Sequence, residues 1–565
     1  MSETTVPMAE HTSASDTAPP TDPDHDHDPD HDHHPDPAEQ APDKARLVSA
    51  RSAWILWALI AIATFLVLER QHTPAGFFSS EWDIIQHRRG WTVDGFLTPF
   101  KDQLAAATVL IYRLLFSLFG LTHYRPFRMV GLAFHLFTAT MVFEYIRRRA
   151  GGIVALAGGT AIAWLGAAWQ VVLLPSSISY SGAIGFGIAA WICVERERRA
   201  SDLGAALLHI ASVLFGGVAL AFVVASAVRL ALAREWRRMA IVVGPSVLVC
   251  AVWFLGWGAV PEHLRSNARH LPSFAAELAG GGAGALFGRS QIWGLLLAGV
   301  VIGIVVSRTQ VLRTAQMPVL ALASVAVLIT LARANLARPD ESRFTYVVAA
   351  LLVMAMADAW RVFDLPRWAD IAAPLIAVLA VVGNWSPMHR AADALRDDSR
   401  AARAELTAIE WARDTVNPTL EPDPIRLPGV AAGEYLAAVD DLGSPAFADA
   451  AVLGSDEMLR QRVDEIGAIS LGLGAGTQPY TGDVVCDAIT YYAELTLFPG
   501  DTVTMIAWYA PIELRFRRLA DGYPASPATI LETGTYVVFE VPDDNAPVDG
   551  WTMQALSFGG FALCL

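Results

Sequence analysis

Residues 81–102 carry the side chains best equipped for chemistry: Glu81-Trp82-Asp83, His87-Arg88-Arg89, Asp94 and Lys101-Asp102. A carboxylate that takes a proton from an acceptor hydroxyl, beside arginines that hold a departing phosphate, suits a displacement on a lipid carrying a phosphate-linked group. On that reading Asp83 is the base and Glu81 its nearest substitute. Arg88 and Arg89 hold phosphate, and Asp94 and Asp102 are further acidic candidates. The same charges would equally cap and neutralise a solvated loop, and spacing alone leaves both readings open.

Chemistry of that kind needs a membrane surface, and the composition supplies one. The 565 residues are 54% hydrophobic and only 17% charged, too apolar for an ordinary soluble protein of this size. The net charge of −15 hides three regions. Residues 1–43 hold 12 acidic and no basic side chains, residues 44–385 hold 30 Lys/Arg against 17 Asp/Glu, and residues 386–565 hold 11 against 27. From Ala53 onward, apolar runs recur at lengths suited to a hydrocarbon layer of roughly 30 Å. Eleven crossings are expected, at 53–69, 126–146, 153–174, 176–194, 202–216, 217–233, 239–258, 291–307, 315–333, 344–360 and 368–385.

The basic clusters at 44–51, 147–149, 196–199, 234–238, 308–313 and 361–367 fall on every second connection, which the positive-inside rule places in the cytoplasm. The N-terminus is then cytoplasmic in a multi-pass plasma-membrane protein. Two long connections, 70–125 and 259–290, and everything after residue 385 lie outside. The runs 202–216 and 217–233 are short for two crossings, with Gly216-Gly217 offering the turn. Within the first connection, Leu104 to Leu121 mixes Leu, Phe and Ile with Arg113 and is expected to lie along the outer interface.

The flanks differ from this middle. Residues 1–45 are rich in His, Asp and Pro and read as a disordered acidic tail. His25, His27, His31, His33 and His34 alternate there with carboxylates and could chelate a divalent metal weakly, or simply be solvated. Residues 386–470 read as a membrane-proximal helical region, and residues 471–565 as strands of a small β-sandwich. Cys486 and Cys564 fall near the ends of that strand-rich stretch and can bridge if it faces an oxidising compartment. The fold class expected is a polytopic α-helical membrane protein with a C-terminal extracytoplasmic α+β part. No P-loop and no nucleic-acid footprint occurs in the sequence.

The order of a basic-flanked first helix, an acidic first external loop, then FLTPF (96–100), YRLLFSLFGLTHYRPFRM (112–129) and AFHLFTATMVFEYIRRR (133–149) resembles the GT-C membrane glycosyltransferases. RPDESRFTY (338–346) is similar to the Arg-Tyr-rich segment that precedes a late helix in that group, and EYLAAVDDLGSPAF (434–447) to the membrane-proximal part of actinobacterial relatives. The resemblance covers most of 50–385. It implies a polyprenyl-phosphate-linked sugar as donor, and a cell-envelope glycan, lipid or protein as acceptor on the outer face. Asp83 is then the base in a displacement at the anomeric carbon, with Arg343 and Tyr346 near the donor phosphate or sugar. A divalent cation is the one cofactor left open. The competing expectations are a transporter or flippase for lipid-linked sugars, and an inactive membrane anchor for an envelope-binding β-domain.

Overall fold

In the structure, a computed structural model, residues 49–71, 76–258, 264–288, 290–307, 309–363, 368–481 and 486–564 are described. The chain divides into two units, Met1–Arg46 and Leu47–Leu565, and every described residue belongs to the second. The histidines of the acidic tail, His25, His27, His31, His33 and His34, lie outside the described residues.

An apolar helix, α1 (Ala50–Gln71), comes first. The connection after it carries α2 (Glu81–His87), α3 (Val93–Leu97) and α4 (Ala106–Phe119). A bundle follows through α5 (Arg125–Ala150), α6 (Gly152–Ala163), α7 (Trp169–Leu173), α8 (Ile178–Val194), α9 (Arg199–Phe215) and α10 (Ala219–Leu232). It continues with α11 (Trp236–Val242), α12 (Gly244–Trp257), α13 (Leu264–Ala268), α14 (Leu271–Ala285), α15 (Gln291–Ser307), α16 (Thr309–Thr314), α17 (Gln316–Arg333) and α18 (Ser342–Val362). Then α19 (Trp368–Trp411) leads to α20 (Ala432–Leu442), α21 (Asp449–Leu453) and α22 (Glu457–Ser470).

Local chemistry sets these boundaries. Helix α5 starts with a proline in its first turn, ends on three arginines that suit the negative end of its dipole, and stops at Gly151 with φ of 89°. Among the described residues, seven helices are long and apolar enough to cross a membrane, or eight if α11 and α12, bent by 51°, form one span. The eleven expected crossings fall mainly on helices, but 153–174 is broken between α6 and α7, and α9 and α10 part at Gly216-Gly217 into pieces of 17 and 14 residues.

Two segments are more ordered than their composition shows. Within the connection 259–290, α14 packs into the bundle against α15 and α18 and buries its last six residues. A Cβ on Gly294 would stand 1.8 Å from the carbonyl oxygen of Gly280, so these two backbones touch as only small residues permit in a membrane bundle. The last crossing and the polar segment after it are one continuous helix, α19, 44 residues and roughly 66 Å long.

The C-terminal strands form two antiparallel sheets. The first pairs β1 (Gln478–Pro479), β7 (Thr535–Glu540), β4 (Thr502–Ala507), β9 (Phe561–Cys564) and β2 (Asp487–Ile489) in that order. The second pairs β3 (Tyr492–Leu497), β8 (Trp551–Leu556), β5 (Ile512–Arg517) and β6 (Thr529–Leu531). Alternate residues of β5 and β8 are buried, the period-2 signature of strands with one face on a core. Met505 and Val537 of one sheet share that core with Phe516 and Met553 of the other. The sandwich is tied to the helices before it, since Gly467 of α22 packs on Trp551. Helix α20 in turn meets the first connection, with Trp82 edge-on to Tyr435 at 5.7 Å.

Cys486 and Cys564 are joined by a disulfide across 78 positions of sequence. On a chain-entropy account, closing a loop of that length stabilises the sandwich by about 4 kcal/mol. Cys486→Ser, or reductant, is therefore expected to lower the unfolding midpoint of the C-terminal part, read as earlier proteolysis of residues 486–564 in a thermal ramp. An unchanged midpoint contradicts the assignment.

Candidate active site

Helix α2 presents two carboxylates with opposite environments. Glu81, its first residue, is fully buried. Its Oε1 accepts from the Tyr112 hydroxyl at 2.6 Å, and its Oε2 from the Tyr124 hydroxyl at 3.0 Å and the Phe78 N–H at 3.1 Å. Burial raises the carboxyl to about 7 against the pull of those three donors. Glu81 thus ties α2 to α4 and to the start of α5, and it turns no face to solvent.

Asp83 is the open one, its side chain 43% exposed. Arg88 Nε donates to its Oδ2 at 3.0 Å, and His87 Nδ1 lies 3.5 Å from its Oδ1. The rest of the Arg88 fork donates to the carbonyls of Thr98 (2.7 Å) and Pro99 (2.8 Å). Arg88 is 7% exposed and committed to the protein's own oxygens, so it orients Asp83 rather than waiting for a phosphate. Arg89 is likewise engaged, by Asp441 of α20 at 2.7 Å and the Gln86 carbonyl at 2.8 Å. Asp94 accepts from the Trp257 indole at 3.0 Å.

The segment Phe100 to Gln103 closes on itself, each end residue donating its N–H to the other's carbonyl at 2.9 and 3.2 Å. Its two central residues, Lys101 and Asp102, have φ of 51° and 62°. A tight turn with positive φ at both centres is normally made by Asn and Gly, and non-glycine residues held there are strained by roughly 1–3 kcal/mol each. Strain of that kind persists only when neighbours over-determine it, and three do. Arg333, at the end of α17, donates to the Lys101 carbonyl and pairs with Asp102 at 3.0 Å. Gln103 accepts from Gly217 N–H at 2.9 Å between α9 and α10. Phe100 lies under both the Arg88 guanidinium and the Lys101 ammonium, each 5.6 Å from its ring.

The turn delivers Lys101 into a group of charges. Packed protein around the ammonium lowers its pKa first, although the residue as a whole remains solvent-exposed. Arg343 and Arg333 lower it further, Asp83 and Glu341 oppose, and it comes to rest at about 8. Arg343, in the first turn of α18, pairs with Glu341 at 2.6 Å. The charges of Asp83, Arg333, Arg343 and Glu341 therefore all act on the Lys101 ammonium although they come from separate parts of the sequence.

Tyr346 does not join them. It is fully buried, its hydroxyl 3.0 Å from His135 Nδ1, and it serves as a polar contact between α18 and α5. Sequence reasoning missed Lys101 and Arg333 as site members. Lys101 stood beside a candidate acid, and Arg333 read as a basic residue ending a span. Among the described residues, no group of three or more His, Cys, Asp or Glu converges to hold a metal ion.

No family model and no curated protein matches the chain. Among solved structures, the chain is similar to ArnT from Cupriavidus metallidurans bound to undecaprenyl phosphate, at 14% identity over 76% of this chain and 96% of that one, with a TM-score of 0.43. At that score the likeness assigns neither an activity nor a residue to this chain.

Glu81 generates a stability prediction. Its folded pKa lies above the ordinary 4.5, so the folded state binds the extra proton and stability falls as pH rises from about 4.5 to about 7, then levels. Melting of the detergent-solubilised protein should show that decline, and Glu81→Gln should flatten it. An equal slope in the variant would assign the decline to another group.

Proposed function

We propose that this chain is a membrane glycosyltransferase that moves a sugar from a polyprenyl-phosphate carrier to a cell-envelope acceptor on the outer face, working in the GT-C manner its sequence resembles. The observation that carries the reading is the turn that Arg333 holds through Asp102 at 3.0 Å, which brings the Lys101 ammonium under the charges of the exposed Asp83 and of the ion-paired Arg333 and Arg343. A phosphate leaving group needs positive charge, for which it would displace the Asp102 and Glu341 carboxylates from the two arginines, and an attacking hydroxyl needs a carboxylate beside it.

In the proposed step the acceptor hydroxyl oxygen forms a bond to the anomeric carbon while the bond from that carbon to the phosphate oxygen breaks. The electron pair leaves with polyprenyl phosphate, and the hydroxyl proton passes to Asp83. Arg88 holds the carboxylate in register by its 3.0 Å contact. Lys101, Arg333 and Arg343 take up the charge that develops on the phosphate. The positive-inside pattern of the basic connections supports an outer-face position for the site.

Sugar transfer from a panel of radiolabelled polyprenyl-phosphate sugars to envelope extracts tests the reading. Asp83→Asn should lower turnover by roughly 10²–10⁴-fold with folding intact. Equal activity in Asp83→Asn removes Asp83 as base, and no transfer by the wild type from any donor removes the enzyme reading.

The depressed pKa of Lys101 adds a pH signature. The donor KM should climb as pH rises through about 8 and the ammonium loses its charge, and Lys101→Arg should abolish that climb. A rise that persists unchanged in Lys101→Arg rules the residue out of the donor site.

A further inference from the structure

Helix α18 carries Arg343 in its first turn and Arg361 in its last, 18 residues and roughly 27 Å apart along the axis. That span matches a hydrocarbon layer, so whatever surrounds Arg361 lies at the opposite membrane boundary from the candidate active site. What surrounds it is a second concentration of positive charge. Arg148 and Arg149 end α5, Arg229 lies in the last turn of α10, Arg313 in that of α16, and together with Arg361 they line a cavity of about 440 Å³ whose one acidic lining residue among the described ones is Glu195.

Basic residues at helix C-termini are ordinary at a cytoplasmic membrane boundary, but these come from four helices and face one space. Their partners are unequal. Arg149 is fixed from behind by Glu195 and by the fully buried Asp358, which also accepts from the Tyr145 hydroxyl at 2.8 Å. Arg148 is held by Glu144 at 2.7 Å. Arg229 rests on the Met317 sulfur at 3.1 Å and is 3.9 Å from Glu195. Among the described residues, Arg313 and Arg361 pair with no carboxylate. The paired arginines on one side thus face two guanidinium forks that, among the described residues, pair with no carboxylate, so like charges gather around one space.

We infer that this cavity is a second anion site, built for a phosphate group and separate from the catalytic one. Several planar forks converging on one space suit the tetrahedral oxygens of a phosphate mono- or diester. A cavity between helix ends at the membrane boundary is open both to the headgroup of an anionic phospholipid and to a free phosphate.

The test compares the full-length protein with Arg313→Gln/Arg361→Gln in two arms. In the first, both proteins are placed in nanodiscs of phosphatidylcholine with increasing phosphatidylglycerol, and retained lipid and melting temperature are read. In the second, inorganic phosphate and pyrophosphate are titrated in a neutral detergent. The site predicts saturable stabilisation of the wild type in at least one arm and roughly tenfold weaker binding in the double variant. Response to phosphatidylglycerol identifies a headgroup, and response to the soluble anions a free phosphate. Arg199→Gln/Arg237→Gln, which removes the same charge from exposed positions on that face, should bind as the wild type does. If the double variant does not fold, Arg361→Lys, which keeps the charge and loses the fork, should still bind several-fold more weakly. No saturable response in either arm, or equal weakening by the exposed pair, overturns the site.

Discussion

The contact on which the candidate site depends is the grip of Arg333 on the Lys101-Asp102 turn. Two non-glycine residues with positive φ do not hold that shape unaided, and Arg333 binds both the backbone carbonyl of one and the carboxylate of the other. Because Arg333 ends α17 and Arg343 opens α18, the same grip registers the first connection against two late helices. Remove it, and Lys101 has no reason to stand near Asp83 or Arg343. The remaining supports are passive by comparison: Glu81 anchors α2 from beneath, Arg88 fixes Asp83, and Arg113 braces the loop by donating to the Arg88 carbonyl at 2.7 Å.

Part of this was legible in the residues. Long apolar runs announce helices whatever their packing, and a period of two announces the terminal strands. The charge-rich first connection stood out because such residues are rare in an apolar chain. What the sequence could not show is direction. Arg88 and Arg89 look like free cations when written out, yet a guanidinium on a loop is taken by the nearest carbonyls and carboxylates, and these two are. Glu81 and Asp83 differ by two positions, which on a helix turns one inward and the other outward. Arg333 lay more than 230 residues from the turn it holds, and no spacing rule reaches that far.

The glycine-rich stretch of α14 illustrates a different failure. Gly280, Gly281 and Gly282 lie in the segment 259–290, expected to be a long external connection, and glycine disfavours helix in water. In a membrane bundle the same residues allow backbones to meet, and the approach of Gly294 to Gly280 replaces the side-chain contacts that glycine lacks. The two ends of α18 then give the bundle its polarity. At one end Arg343 pairs with Glu341, and at the other, 18 residues on, Arg361 lines a cavity with Arg148, Arg149, Arg229 and Arg313, so a single helix separates two groups of cations.

The proposed donor site, phosphate held by the turn and the two late helices next to Asp83, is tested most directly by a structure of the protein in nanodiscs with a polyprenyl-phosphate sugar bound. Phosphate is expected within hydrogen-bond distance of Lys101 Nζ and at least one of the Arg333 and Arg343 guanidiniums, with the anomeric carbon on the side of Asp83. Phosphate held instead by Arg88 or Arg89, or lying away from this turn altogether, would contradict it.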